Sequence, residues 1–146
     1  MRMSRRAGIY GAGAKDLYLF NGGAVPGYTW TGSSTSYANT TISTYLSASA
    51  SIGQGEVYEN ARARLTISAD LTDYSMAWFT VEQKGSEARI TVGGSSVPIS
   101  VGDVSYDISG MTGSKQIVLD SGSVSKTVPE GSVSSSIKVT KVWLSK

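Results

Sequence analysis

The chain has 146 residues, 13 Lys or Arg against 11 Asp or Glu, a formal net charge of +2, and neither cysteine nor histidine. The length is that of one ordinary domain. The two missing residue types exclude disulfides, thiolate nucleophiles, Ser-His-Asp triads, sulfur-ligated metals and histidine-ligated zinc. The remaining Asp, Glu, Lys, Tyr and Ser residues form no recognisable catalytic arrangement. We therefore expect a protein that is not an enzyme and that uses no cofactor.

The uncharged polar residues predict an all-β fold. There are 25 Ser and 13 Thr, and together with 17 Gly they exceed a third of the chain. Ser, Thr and Gly weaken helices, whereas Thr fits a half-buried pleated surface alongside Val, Ile, Tyr and Trp. No apolar run approaches the roughly 18 residues of a membrane span. The basic N-terminus also lacks the apolar stretch of a signal peptide, so we expect no contact with a membrane.

The charge divides the chain into two parts. Residues 1–15 carry four basic residues and no acid, whereas residues 16–146 carry nine bases and eleven acids. We predict a basic, Gly/Ala-rich N-terminal arm at 1–15 and a β-sandwich domain at 16–146. Such an arm either frays or docks on a neighbouring subunit. The residues that would dock are Arg2, Met3, Arg5, Arg6, Ile9 and Tyr10. Because the body has no basic stripe, we expect no dedicated nucleic-acid site.

In the first half of the chain, short alternating or apolar runs are separated by turns rich in Gly and Pro, as in β proteins. These runs predict strands over 16–21, 28–31, 44–50 and 61–67. The last run alternates cleanly and places Ala61, Ala63, Leu65 and Ile67 on one face. Residues 70–74 read as a short helical turn.

The second half gives clearer strands. They are predicted over 76–82, 88–92, 97–101, 104–108, 116–120 and 136–144. The most hydrophobic run, 76–82, is the best candidate for a central strand. Pro98 cannot donate a hydrogen bond to a neighbouring strand, so the strand at 97–101 is expected at an edge. Along 136–144, simple alternation sets Ile137, Val139 and Trp143 on one face. Eight to ten short strands predict an antiparallel β-sandwich or jelly roll.

Four segments follow one another in an order that resembles a known group of proteins. They are 16–22, 67–75 before the central strand, 106–114 before the strand at 116–119, and 137–144. This order is similar to that of jelly-roll domains in structural proteins of tailed bacteriophages and of prophages of gut Firmicutes. Those domains are similar in turn to galactose-binding-like carbohydrate-binding modules. The resemblance covers 16–146.

The resemblance implies a virion accessory protein on the capsid, tail or baseplate. Its partners would be capsid or tail subunits, and by analogy with the family it would form a homo-oligomer, for example a trimer. Contact with a bacterial surface glycan is also implied. The alternative that the sequence leaves open is a stand-alone carbohydrate-binding module.

Exposed aromatic rings could supply a stacking platform for a sugar, and three residues near one Gly/Ser loop are the candidates. Trp30, flanked by threonines, is the best of them, and Tyr28 and Tyr37 flank the same loop. Trp78 and Trp143 are expected in the core, because they lie in apolar or alternating strands.

Carboxylates offer a weaker alternative. Glu56 with Glu59, and Asp70 with Asp73, could form a glycosidase-like acid pair or ligate calcium. We expect instead that the two aspartates cap a turn and that the two glutamates face solvent, so no metal site is predicted.

Overall fold

A computed structural model describes residues 16–146, and within them the chain folds entirely into antiparallel β-strands and connecting turns. The all-β prediction is confirmed. The strands are β1 Leu17–Asn21, β2 Thr31–Ser34, β3 Ala38–Ile42, β4 Leu46–Ile52, β5 Tyr58–Ala61, β6 Ala63–Asp70, β7 Met76–Lys84, β8 Arg89–Val92, β9 Ser95–Val97, β10 Gly102–Asp107, β11 Ser114–Asp120, β12 Val124–Lys126 and β13 Val133–Ser145.

The strands form two main sheets. The first has the order β9-β8-β11-β6-β2. The second has the order β10-β7-β13-β4-β3, and β1 pairs with the C-terminal half of β13 beside the end of β4. Strands β5 and β12 form a separate two-stranded piece. The strand rich in apolar residues, β7, lies inside its sheet between β10 and β13, as its sequence predicts.

Alternating residues of both sheets fill one core between them, as in a β-sandwich. From the first sheet it takes Leu65 and Leu119, and from the second Phe79 and Leu144, all fully buried. Burying each such side chain contributes about 1.5–3 kcal/mol, so this layer is the main source of stability. A smaller cluster around Ile52 closes the end near β5 and β12.

Most sequence-predicted strands are present, but the strand expected at 28–31 lies instead at Thr31–Ser34. Strands β5 and β12 were not predicted. Three further differences concern residues 97–101, residues 70–74 and β3. The strand expected at 97–101 ends before Pro98 and occupies Ser95–Val97, at the edge of the first sheet as predicted. It pairs with β8 through Gly93 and Gly94, whose positive φ angles of 57° and 87° suit a two-residue hairpin turn. Residues 70–74 form a hydrogen-bonded turn, Tyr74 N to Leu71 O, and not a helix. Strand β3 was not predicted.

A bulge in β13 changes which residues of that strand point inward. In β13, Val139 pairs with Val81 but Lys141 pairs with Thr80, so Thr140 is an extra residue. Before this bulge, Ile137 and Val139 point into the core. After it, Val142 and Leu144 do so. The bulge therefore turns Trp143 to the outer face of the second sheet.

Lys126 joins two loops at the end of the sandwich closed by β5 and β12. The residue is buried, and its Nζ donates to the backbone carbonyls of Gly53, Glu56 and Pro129 at 2.6, 2.7 and 3.0 Å. An ammonium group has three donors, and all three are used here. Lys126 therefore fixes the loop after β4 to the loop after β12.

Candidate functional site

Trp30 is not the exposed platform that the sequence suggested. It is 5% exposed and packs in the main core. Its indole Nε1 donates to the carbonyl oxygen of Leu19 at 3.1 Å, so both the ring and its polar atom are satisfied internally. The expectation that Trp30 stacks on a sugar is wrong for this reason.

Tyr28 and Tyr37 do not share a surface with each other. Tyr28 is half-buried in a shallow pocket with Leu17, Asp73 and Tyr74, near the C-terminal end of β6. Tyr37 is 40% exposed and leans on Tyr58, with ring centroids 5.2 Å apart, near the N-terminal end of β6. The three residues proposed from sequence therefore do not form one site.

Trp78 and Trp143 are not core residues, contrary to the sequence-based expectation. Ala77, Phe79 and Val81 take the inward positions of β7, which leaves Trp78 outside. Trp143 is its direct cross-strand neighbour on β13, and Tyr18 on β1 pairs with Trp143 from the other side. We call Tyr18, Trp143 and Trp78 the aromatic ladder.

The rings of the ladder stack on one another. Each neighbouring pair has centroids 5.6 Å apart, with interplanar angles of 4° for Trp78–Trp143 and 25° for Tyr18–Trp143. At that distance nearly parallel rings cannot lie side by side in one plane without overlapping, so they stack face to face with an offset. Trp143 thus has a ring on each face. The ladder joins three strands on the outer face of the second sheet.

A polar groove lies on the outer surface at the β2 edge of the first sheet. It encloses about 390 Å³, and we call it the arginine groove. Its lining consists of Ser33, Ser34, Thr35, Asn60, Arg62, Arg64 and Ser123. The alternation of β6 explains the two guanidinium groups, because Ala63 and Leu65 point inward and the arginines must then point outward.

Asp120 holds both arginines in place. Arg62 makes a two-pronged contact, from Nε to Oδ1 at 3.0 Å and from Nη2 to Oδ2 at 2.5 Å, and Arg64 Nε lies 3.4 Å from Oδ2. Burial raises the pKa of Asp120, but the hydrogen bonds from Arg62 and from the Gly122 amide, with the two arginine charges, outweigh it and lower the pKa below its ordinary value. The carboxylate is therefore charged at neutral pH, fixes the guanidinium plane of Arg62 and attracts Arg64.

The turn after β11 is itself locked against β6. Gly122 N donates to Asp120 Oδ1 at 2.8 Å, and Ser121 Oγ accepts from the amide of Ala63 at 3.0 Å. Gly122 has a φ of 80°, and a Cβ there would lie 2.0 Å from the carbonyl oxygen of Glu87. Only glycine fits this close approach, so the turn keeps one geometry.

Backbone strain also concentrates at this end of the sandwich. Asn60, which lines the groove, has a φ of 67°, and Tyr37, two residues after Thr35, has a φ of 62°. A positive φ is costly for a side chain such as tyrosine and often accompanies a functional position. The Oδ1 of Asn60 accepts from Ser123 and Ser125 at 3.3 and 3.4 Å, which ties this side chain to the strand across from it.

Two of the carboxylates considered from the sequence, those of Asp70 and Glu56, have structural partners. Asp70 Oδ1 accepts from the amide and the hydroxyl of Thr72, as expected for a turn cap, and these bonds lower the pKa of Asp70. Asp107 makes the same turn with Ser109. Glu56 is exposed and accepts from Gly53 N at 3.0 Å. Within residues 16–146, no three acidic side chains come together as a metal site would need.

The residues expected to dock on a neighbouring subunit lie outside the described residues. They are Arg2, Met3, Arg5, Arg6, Ile9 and Tyr10. Over the described part of the chain, no helix has the length and apolar character needed to cross a bilayer.

Sequence reasoning missed the arginine groove. It placed the alternation of residues 61–67 correctly, but considered only the face with Ala61, Ala63, Leu65 and Ile67. The opposite face carries Arg62 and Arg64, and two arginines spaced by two residues on a strand are a signal that could have been used. Their partner Asp120 is 58 residues away from Arg62 and has no local signal.

Comparison with known proteins adds no family, because no family model matches the chain and no curated protein matches it significantly.

Proposed function

We propose that this protein is a non-catalytic binding module, of the jelly-roll kind found in virion accessory proteins, and that the arginine groove holds a glycan. The observation that carries the proposal is the arginine pair on Asp120 beside a row of hydroxyl groups. A groove of about 390 Å³ suits a ligand of one or two sugar rings, since small-ligand sites start near roughly 300 Å³. Serine hydroxyls and the Asn60 amide suit a polyhydroxylated ligand.

The roles of the acidic groups support a non-enzymatic function. Asp70 and Asp107 hold turns, Asp120 holds the arginines, and Glu82 pairs with Lys138 at 2.9 Å. Each contact gives a carboxylate a structural task. A glycosidase instead needs two carboxylates facing each other across a cleft.

The experiment is binding of the full chain to an array of bacterial surface glycans, compared with Arg64→Ala. Arg64 is exposed on its strand, so its loss leaves the core and the Arg62–Asp120 pair intact. We expect binding to at least one glycan and loss of most of that binding in the variant. Binding to no glycan would refute the proposal. Binding that survives Arg64→Ala but is lost in Trp143→Ala would move the site to the aromatic ladder.

The virion setting is a separate part of the proposal and rests on the resemblance over 16–146. In it, the basic segment at 1–15 attaches the module to capsid or tail subunits, and the module itself is a homo-oligomer such as a trimer. The test is the solution mass, by sedimentation, of the full chain and of a chain that starts at Asp16. A defined oligomer that becomes monomeric on truncation supports attachment through the segment. Two stable monomers would contradict self-assembly and favour the stand-alone carbohydrate-binding module.

A further inference from the structure

The arginine groove carries more positive charge than its buried partner neutralises. Arg62 and Arg64 share one carboxylate, Asp120, and Arg62 takes both of its oxygens. Among the described residues, none that lines the groove is acidic. One positive charge therefore remains on the floor of the groove, beside the Nη atoms of Arg64.

Arg64 is placed so that this charge faces a ligand. Its Nε is the atom that approaches Asp120, at 3.4 Å, and its side chain is 46% exposed. Among the side-chain hydrogen bonds and ion pairs of residues 16–146, none involves its Nη1 or Nη2 atom. The planar fork of an arginine matches a carboxylate with two parallel hydrogen bonds, and the ion pair of Nε with Asp120 keeps the side chain beside the groove.

The groups around Arg64 are neutral donors and acceptors. Ser33 is its direct cross-strand neighbour on β2, and Ser34 follows at the rim. Asn60 also lines the groove, and its Oδ1 accepts hydrogen bonds from Ser123 and Ser125. No aromatic ring of the described chain lines the groove, so it lacks the stacking surface on which nucleic-acid bases are bound.

We propose that the arginine groove selects a sugar that bears a carboxylate, with Arg64 on the carboxylate and Ser33, Ser34 and Asn60 on the ring hydroxyls. This inference rests on the proposed function and adds the charge of the ligand. The proposal concerns binding alone, and no covalent bond is made or broken.

The test compares acidic sugars with their neutral counterparts. Oligosaccharides that carry glucuronate, galacturonate or a sialic acid are titrated into the full chain by calorimetry, each beside the same oligosaccharide with its carboxyl group reduced to an alcohol. We expect at least one acidic member to bind about tenfold or more tightly than its reduced form, because a hydrogen bond to a charged group is worth at least this factor. Arg64→Ala should remove the preference.

Arg89→Ala is the matched control. Arg89 is exposed and is the cross-strand neighbour of Asp120 on β8, but it does not line the groove. The Arg89→Ala substitution removes one positive charge from the same face of the sheet. We expect its affinity to stay within about twofold of the unmodified chain, because a charge outside the groove acts on the ligand only through screened long-range attraction.

Each other outcome overturns the inference in a distinguishable way. Equal binding of acidic and reduced forms would refute the charge selection and leave the proposed glycan function standing. Binding of neither form would refute both. Tighter binding of a single-stranded oligonucleotide than of every acidic sugar would show that the groove reads phosphate. Equal losses in Arg64→Ala and Arg89→Ala would show a diffuse charge effect in place of a site.

Discussion

Single residues at the β5 and β12 end of the sandwich hold its loops through polar contacts. Lys126 is the clearest case, since its buried ammonium group donates to three backbone carbonyls from two loops. Replacing it by methionine keeps the aliphatic length and removes all three donors. We expect Lys126→Met to lower the free energy of unfolding by about 2–3 kcal/mol, because hydrogen bonds from a charged group are lost. Urea unfolding monitored by circular dichroism measures this.

Lys84→Met is the control for that experiment. Lys84 is exposed at the end of β7, and we expect a change within about 0.5 kcal/mol, as for most surface substitutions. Equal effects of the two substitutions would show that the Lys126 contacts do not stabilise the loops.

Asp120 makes stability depend on pH. Its folded-state pKa is lowered, so its stabilising contribution is fully present above the unfolded-state pKa, near 4, and is lost as the pH falls through the folded-state pKa. Hydrogen bonds from Thr72 and Ser109 also lower the pKa values of Asp70 and Asp107, so these two carboxylates likewise stabilise the fold less as the pH falls. We expect the chain to lose stability between about pH 5 and pH 2, and Asp120→Asn to be less stable at pH 7 but to lose less on acidification.

The measurement is urea unfolding of both chains at pH 7 and pH 3. Parallel losses on acidification in the two chains would mean that the Asp120 carboxylate contributes nothing to the pH dependence.

At the scale of elements, the bulge at Thr140 in β13 places Trp143 on the outer face of the second sheet. With Trp143 and Trp78 on the outer face and Trp30 in the core, a chain with Trp78→Phe and Trp143→Phe keeps only a buried indole. We expect its fluorescence to be several-fold less sensitive to iodide than that of the unmodified chain, and to shift to shorter wavelength. The substitutions keep an aromatic ring at each position, so the ladder loses little contact area.

Unfolding the double variant in urea supplies the control, because Trp30 should then become fully accessible to iodide. If iodide quenches the folded double variant as strongly as the unmodified chain, Trp30 is exposed, which would contradict its position in the core.

The same elements show what the sequence could predict. Strands with clear alternation or apolar runs were found, as was the edge position marked by Pro98, because one face of each is buried and the other solvated. Strand β3 was missed since Ala38–Ile42 reads Ala-Asn-Thr-Thr-Ile, with more polar than apolar residues. Trp143 was assigned to the wrong face because a one-residue bulge reverses the alternation and leaves no trace in the pattern.

For the whole molecule, the arrangement of charge on the first sheet could not be derived from the chain order. Arg62 and Asp120 come together only because β6 and β11 are neighbours in the sheet. Local patterns report burial, whereas a site built from distant strands depends on the pairing of those strands. The aromatic residues drew attention because they are chemically conspicuous, yet Trp30 serves the core and the ladder serves strand packing.

We propose that ligand binds in the arginine groove and not on the aromatic ladder. The most direct measurement is nuclear magnetic resonance of the full chain, following the Nε–H signals of the arginines and the indole N–H signals of the tryptophans during addition of the tightest-binding acidic oligosaccharide. We predict that the Arg64 and Arg62 signals shift together with the amides of Ser33 and Ser34, and that Trp78 and Trp143 stay unchanged. Shifts confined to Trp78 and Trp143, or no shift at Arg64 at saturating sugar, would contradict binding in the arginine groove.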